Sequence, residues 1–206
     1  MEEEKDIFDL SVAKDEDKFV KKSLKLESEV VSDILEQMKV FPWLGSLIKL
    51  GMVGKGFLDL RFVRKIGRFL QPSNDIAQER KEAFLDKLDK KDRKRMYEYL
   101  MHLLYTAEED KKADVMGKVY RDRIIGNIDN DIFLRLCSAI NKVYIDDVDR
   151  LGDYTNPNPK DDYVTNNLYS SGLLQTTESK FEGSALVMGG SYVLNDLGRH
   201  LLRILK

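Results

Sequence analysis

The sequence is poor in the residues that build disulfides, nucleophile sites and transition-metal sites. Cys137 is the only cysteine among 206 residues, so the chain cannot form an internal disulfide, and a reducing compartment is expected. His102 and His200 are the only histidines, and neither lies near the cysteine in the sequence. Because a Cys-His pair would have to be assembled by the fold alone, we predict a buried structural thiol at Cys137 and a protein that is not an enzyme.

The beginning of the sequence lacks the features of an export signal. Met1 is followed by three glutamates, whereas a signal peptide opens with basic residues. The longest apolar run is interrupted by Lys49 and Lys55, too soon for a conventional membrane span. We therefore expect a cytoplasmic protein, with association at a membrane surface left open.

Charge and composition limit the fold and the partners. The 34 basic and 36 acidic residues leave a net charge of -2, which provides no overall attraction to nucleic acid. A chain with 42% hydrophobic residues, 34% charged residues and 4 prolines is typical of a helix-rich globular protein. We predict a mainly α protein, with an N-terminal helical bundle and a small C-terminal α/β unit.

The predicted organisation has four parts. Residues 1–15 form an acidic arm, residues 16–154 the helical bundle, residues 155–160 a linker, and residues 161–206 the α/β unit. Two Asn-Pro dipeptides mark the linker. The clearest amphipathic helix of the bundle repeats apolar residues at helical spacing, namely Ile132, Phe133, Leu136, Cys137, Ile140, Val143 and Tyr144.

Residues 41–70 form the densest apolar segment and contain Trp43, the only tryptophan. Each glycine in the first half of the segment weakens a helix by about 1 kcal/mol relative to alanine and permits close backbone approach. Burying each large apolar side chain contributes about 1.5–3 kcal/mol, so the segment is expected to be covered. Three environments could bury the segment: the protein core, a protein partner or second copy, and a membrane interface.

Local patterns also predict details of individual helices. A helix from about Leu58 to Leu70 places one apolar stripe inward and its basic residues, including Lys65, off that stripe. Asp75 and Gln78 resemble the reciprocal pair that caps the start of a helix. The last helix is expected to be capped by Asn195 or Asp196 and to turn four leucines inward: Leu197, Leu201, Leu202 and Leu205.

The C-terminal unit resembles the second half of winged-helix domains. The likeness lies in a short helix, Gly172-Leu173-Leu174, a hairpin, Tyr192-Val193-Leu194-Asn195-Asp196-Leu197-Gly198 and Leu201-Leu202. It implies that the helix before the first strand is a recognition helix and that the hairpin is a wing. Winged helices serve both DNA binding and protein docking, so the resemblance favours a fold more than a function. The layout of the whole chain also resembles bacterial abortive-infection proteins of the Abi-alpha type.

The composition of the candidate recognition helix disfavours DNA. Recognition helices present basic or amide side chains to bases and phosphates. Here two carboxylates, Asp161 and Asp162, stand at the helix start, where a helix N-terminus would otherwise attract phosphate, and Lys160 is the only nearby cation. Protein docking is therefore the favoured use of this helix.

The glycine and aspartate clusters do not form a phosphate or metal motif. Gly51 and Gly56 have the spacing of a Walker loop, but Phe57 occupies the lysine position. The sequence from Gly51 to Gly54 matches the short loop of KH domains without the flanking strands, so close helix packing is favoured. A cluster of four aspartates is more typical of a solvated helix end than of a cation site, namely Asp146, Asp147, Asp149 and Asp153. We predict neither a cofactor nor a metal.

These observations favour a non-enzymatic interaction protein of bacterial type, an adaptor or regulatory subunit in a phage-defence or stress context. Its partner is expected to be another protein or a second copy, and nucleic acid is not expected. The predicted contact residues are Trp43, Leu47, Leu50, Phe57, Tyr163 and Asn166. Two alternatives stay open: a membrane-acting abortive-infection effector that uses residues 41–60, and a DNA-binding regulator that uses residues 160–206.

Overall fold

The computed structural model describes residues 60–160, 162–177, 181–182, 185–186 and 190–206. The acidic arm and the first part of the apolar segment lie outside the described residues, and so do four predicted contact residues, Trp43, Leu47, Leu50 and Phe57. The described chain is mainly helical with a small antiparallel sheet near its C-terminus, as predicted. It divides into two compact units, with the boundary in the sequence between Gly117 and Lys118. The predicted linker at 155–160 stays a prediction.

The first unit is built from helices alone among its described residues. Each element is given by its bounds: α1 Leu60–Leu70, a 3₁₀ helix Gln71–Ser73, α2 Gln78–Asp86, α3 Lys90–Thr106 and α4 Asp110–Ile124, whose last turns belong to the second unit.

The apolar stripe of α1 is buried, as its spacing predicts. Phe62, Ile66 and Phe69 are each at most 3% exposed. A β-carbon at Gly117 of α4 would overlap the backbone carbonyl of Phe69. The α1 and α4 backbones therefore approach closely at a glycine, which no larger residue could replace without displacing one helix.

The prediction that Lys65 lies off the buried stripe is wrong. Its side chain is only 9% exposed, and its Nζ donates a hydrogen bond to the carbonyl of Ala107, just beyond the end of α3. The last carbonyls of a helix lack partners within the helix, and a lysine ammonium can supply one. A long-range contact, invisible in the local pattern, thus decides the position of this side chain.

The predicted capping pair is also wrong. Helix α2 begins after Ala77, which makes no side-chain cap, whereas Asp75 lies before that helix. The stretch from Asp89 to Arg95, expected as a charged turn, instead begins α3, because the Asp89 carboxylate accepts a hydrogen bond from the Asp92 amide. A capping aspartate can begin a helix in a strongly charged sequence.

The second unit contains the last turns of α4 and a mixture of helices and short strands. Its further elements are α5 Asn130–Lys142, a 3₁₀ stretch Ile145–Tyr154, α6 Tyr163–Ser170, β1 Leu174–Thr176, β2 Phe181–Glu182, β3 Ala185–Leu186, β4 Tyr192–Leu194 and α7 Asp196–Leu205. Strands β1 and β4 pair antiparallel with Leu174 opposite Leu194, and β2 and β3 form a separate antiparallel pair.

Strand β4 pairs on both of its edges. Tyr192 lies opposite Thr176 of β1 and also exchanges two backbone hydrogen bonds of 2.8 Å with Asn158. Asn158 belongs to the predicted linker, so part of that segment is tied to the sheet. This isolated bridge extends the two-stranded sheet by one residue at its other edge.

The core of the second unit centres on α5, whose spacing of apolar residues predicts a buried face. Phe133, Leu136, Cys137 and Ile140 have no exposed surface, and the Phe133 ring lies 5.8 Å from the ring of Tyr120. The sequence predicts a helix stop at Gly126-Asn127 and a cap at Asp129 or Asn130. In the structure Asp129 is the cap, and Gly126 has a left-handed φ of 87°. Within the described residues, no helix is both long enough and apolar enough to cross a bilayer.

Candidate functional site

Helix α6, the predicted recognition helix, begins and ends through local interactions. The Asp162 carboxylate accepts a 2.8 Å hydrogen bond from the Thr165 amide and caps the helix N-terminus. At the other end, Gly172 adopts a left-handed φ of 85°, where a side chain would be strained. The helix is therefore held to a length of 8 residues, and the chain turns directly into β1.

A buried hydroxyl relay ties the start of α6 to the 3₁₀ stretch. Thr165 Oγ1 lies 2.9 Å from Asp162 Oδ1 and 2.7 Å from the hydroxyl of Tyr154. Because a carboxylate only accepts, the Thr165 hydroxyl donates to Asp162 and the Tyr154 hydroxyl must donate to Thr165. Tyr154 and Thr165 are at most 2% exposed, so the relay fixes the orientation of α6 from inside the unit.

The opposite side of α6 is uncharged and faces solvent. Tyr163 is 95% exposed, the highest exposure of any large hydrophobic or aromatic side chain among the described residues. Asn166, Asn167 and Ser170 follow at spacings of three, four and seven residues, which places them on the same helical face. The Asn167 side chain accepts a 2.8 Å hydrogen bond from the backbone amide of Tyr144, whose own side chain is 56% exposed. We call this surface, formed by Tyr144, Tyr163, Asn166, Asn167 and Ser170, the α6 face.

Negative charge surrounds the N-terminal end of the α6 face. Burial and the neighbouring carboxylates of Asp146 and Asp162 raise the pKa of Asp147 above its ordinary value. Hydrogen bonds from Thr165 lower the pKa of Asp162, because they stabilise its ionised form. Arg150 and Lys160 offset part of this negative charge, and the remaining carboxylates favour a cation over phosphate.

The structure brings together the two predicted contact residues that it describes. Tyr163 and Asn166 lie on one face of α6, as their spacing implies. Sequence reasoning missed Tyr144, which it assigned to the inward face of the preceding helix. That prediction is wrong, because α5 ends at Lys142 and Val143 is extended, which turns the tyrosine outward. The exposed ring of Tyr169, packed 5.5 Å from the ring of Tyr192, was also missed.

The possible nucleophile and metal residues are not gathered into a site within the described chain. Cys137 is fully buried, and burial raises the pKa of its thiol, which disfavours the reactive thiolate. His102 is exposed on α3. Among the residues that the structure describes, no three His, Cys, Asp or Glu side chains are grouped so as to hold a metal ion.

Comparison of the chain with protein-family models, with curated proteins and with solved structures found no match.

Proposed function

We propose that the protein is a non-catalytic adaptor or regulatory subunit that docks a partner protein on the α6 face. The observation that carries the proposal is Tyr163, an almost fully exposed aromatic ring on a rigidly capped helix. Tyrosine and asparagine side chains supply contact area and hydrogen bonds at protein interfaces, and tyrosine is enriched there. Because the buried Tyr154–Thr165–Asp162 relay holds the helix, the face is organised before a partner arrives.

The charges around the α6 face suggest which partner segment fits. A lysine or arginine could stack on the Tyr163 ring while its charge lies near Asp146 and Asp147, both of which precede the helix in the second unit. The side-chain amide of Asn166, on the same helical face, would hydrogen-bond to the partner backbone. A basic segment of a protein is therefore the favoured ligand of this face.

Site-specific photocrosslinking tests the docking proposal. A photoreactive phenylalanine analogue replaces Tyr163 in the full chain, and the matched control places the same analogue at Tyr105, which is exposed at 55% in the first unit. We expect a discrete protein adduct from position 163 alone, weakened when Asp147→Lys reverses the local charge. Adducts of equal yield from both positions, or an adduct with nucleic acid, would contradict the proposal.

The two alternative functions have weaker support. For DNA binding through residues 160–206, helix α6 carries neither lysine nor arginine, and the backbone amide of Thr165 in its first turn is already bonded to the Asp162 carboxylate. That alternative requires an affinity that falls steeply with salt. The membrane-effector alternative depends on residues 41–60, which lie outside the described residues, and flotation with anionic liposomes tests it.

A further inference from the structure

The second unit also has a concave surface whose lining includes three cations. A groove of about 450 Å³ runs beside α7 and is lined by Thr155, Leu194, Arg199, Leu202, Arg203 and Lys206. Its volume lies within the range of small-molecule pockets. The lining combines three cations with two leucines and contains no carboxylate, which sets it apart from the acidic surroundings of the α6 face.

The three cations form one stripe along α7. Arg199, Arg203 and Lys206 are separated by four and three residues, so they occupy the same helical face. Like charges at this spacing repel one another. The partial negative charge at the C-terminal end of a helix attracts cations, and this accounts for part of the arrangement. Asp196 and Asp122 each pair with one arginine of the stripe, so the excess positive charge beside the cavity comes from Lys206.

Two of the cations are held in place by contacts that leave donors available. The Arg199 guanidinium donates 2.6 Å hydrogen bonds to the Leu194 carbonyl and to Asp196. Arg203 bonds through one nitrogen to the largely buried Asp122 at 2.7 Å. A guanidinium carries five N–H donors, so each arginine retains donors beyond these contacts. The groove therefore presents positioned donors to an anion.

The apolar part of the groove comes from one partly exposed leucine of α7 and one leucine of β4. All four leucines of α7 were expected to face inward, but only Leu201 is fully buried, and Leu197, Leu202 and Leu205 keep intermediate exposure. Leu202 lies in the groove together with Leu194 of β4, which is 2% exposed. A short apolar group seated there would cover Leu202.

We propose that this groove binds a small amphiphilic anion, a carboxylate with a short alkyl chain. The carboxylate would lie against Arg203 and Lys206, and the alkyl chain would cover Leu202. The cations select an anionic head over a neutral one, and the leucines select an alkylated anion over a bare one. The site is independent of the α6 face and of the docking proposal.

Methyl NMR titration of the full chain with octanoate tests this proposal. We expect saturable shifts of the Leu194 and Leu202 methyl resonances with octanoate. Octanol lacks the charged head and acetate lacks the alkyl chain, so both should shift these resonances less. Lys206→Glu should weaken octanoate binding about tenfold, because it removes one attraction and adds one repulsion at an exposed site. Arg135→Gln, an exposed arginine of α5, is the matched control and should leave the affinity unchanged.

Each outcome of the titration decides the proposal. Weakened binding in Lys206→Glu with retained binding in Arg135→Gln supports it, as does a weaker response to octanol and to acetate. The proposal is overturned by an absence of saturable shifts, by octanol binding as well as octanoate, or by equal loss in both variants. Unchanged methyl spectra of the ligand-free variants exclude unfolding as the cause.

Discussion

At the scale of single residues, Gly198 and Asn195 connect α7 to the sheet. A β-carbon at Gly198 would overlap the Leu173 carbonyl and lie 2.9 Å from a methyl carbon of Leu194. Asn195 caps α7 through Oδ1 and donates from Nδ2 to the carbonyls of Gly172 and Leu174. Both residues therefore act between elements as well as within the helix.

Gly198→Ala should destabilise the protein even though alanine is the better helix former. The added methyl group forces α7 away from β1, at a cost of about 1–3 kcal/mol that outweighs a propensity gain of about 1 kcal/mol. Gly152→Ala is the matched control, since a β-carbon there meets nothing within 4 Å. Urea unfolding compares the two, and a Gly198→Ala midpoint at or above the wild-type value would contradict the packing described.

Asn195→Asp separates the two roles of the asparagine. Aspartate and asparagine are comparable N-caps, so capping alone predicts an unchanged stability. The carboxylate cannot donate to Gly172 and Leu174 and would face both carbonyls, so we expect a loss of about 1–2 kcal/mol. Chemical denaturation at neutral pH measures it, with Asn195→Ala alongside. Wild-type stability in Asn195→Asp would show that the link to β1 contributes nothing.

At the scale of elements, buried contacts decide how the helices of the first unit pack. Lys65 of α1 reaches the carbonyl that follows α3, and Gly117 of α4 admits the backbone of α1 at Phe69. Apolar periodicity directs each helix inward, but these two contacts specify where α1 meets its neighbours.

Lys65→Met should destabilise the first unit although it places an apolar side chain in a buried position. The substitution leaves the Ala107 carbonyl without its donor, at a cost of about 1–3 kcal/mol. Lys118→Met, at an exposed position of α4, should change stability by less than about 0.5 kcal/mol. Thermal unfolding of both variants provides the comparison, and equal effects would argue against a specific role for Lys65.

At the scale of the whole molecule, a net charge close to zero is compatible with two surfaces of opposite charge. The net charge of -2 gives no hint that carboxylates gather near the start of α6 while cations line the groove beside α7. Net charge governs solubility and long-range association, whereas the local arrangement selects ligands.

Asp147→Asn should stabilise the protein at neutral pH by less than about 0.5 kcal/mol, the usual range for a surface change. The folded-state pKa of Asp147 is raised, so the ionised carboxyl is less favourable in the folded chain than in the unfolded chain. The difference from wild type should disappear as the pH falls below the unfolded pKa, because Asp147 is then protonated in both states. Urea midpoints measured from neutral to acid pH check this, and a difference that grows toward acid pH would contradict it.

Much of the helical framework could be predicted from the sequence. The buried face of α5, the cap at Asp129 and the stops at Gly126 and Gly172 all depend on residues close in the chain. Tyr163 could be placed beside Asn166 for the same reason. The beginning of α3 was missed because the charged sequence obscured a capping aspartate at Asp89.

The sequence by itself determined most of the described helices and their main apolar faces, because periodicity, capping and glycine stops act within a few residues. Only the tertiary structure decided that Lys65 is buried, that Asn158 pairs with Tyr192 and that Arg203 reaches Asp122. Each of these outcomes depends on a contact between residues distant in the chain, and no local pattern records such a contact.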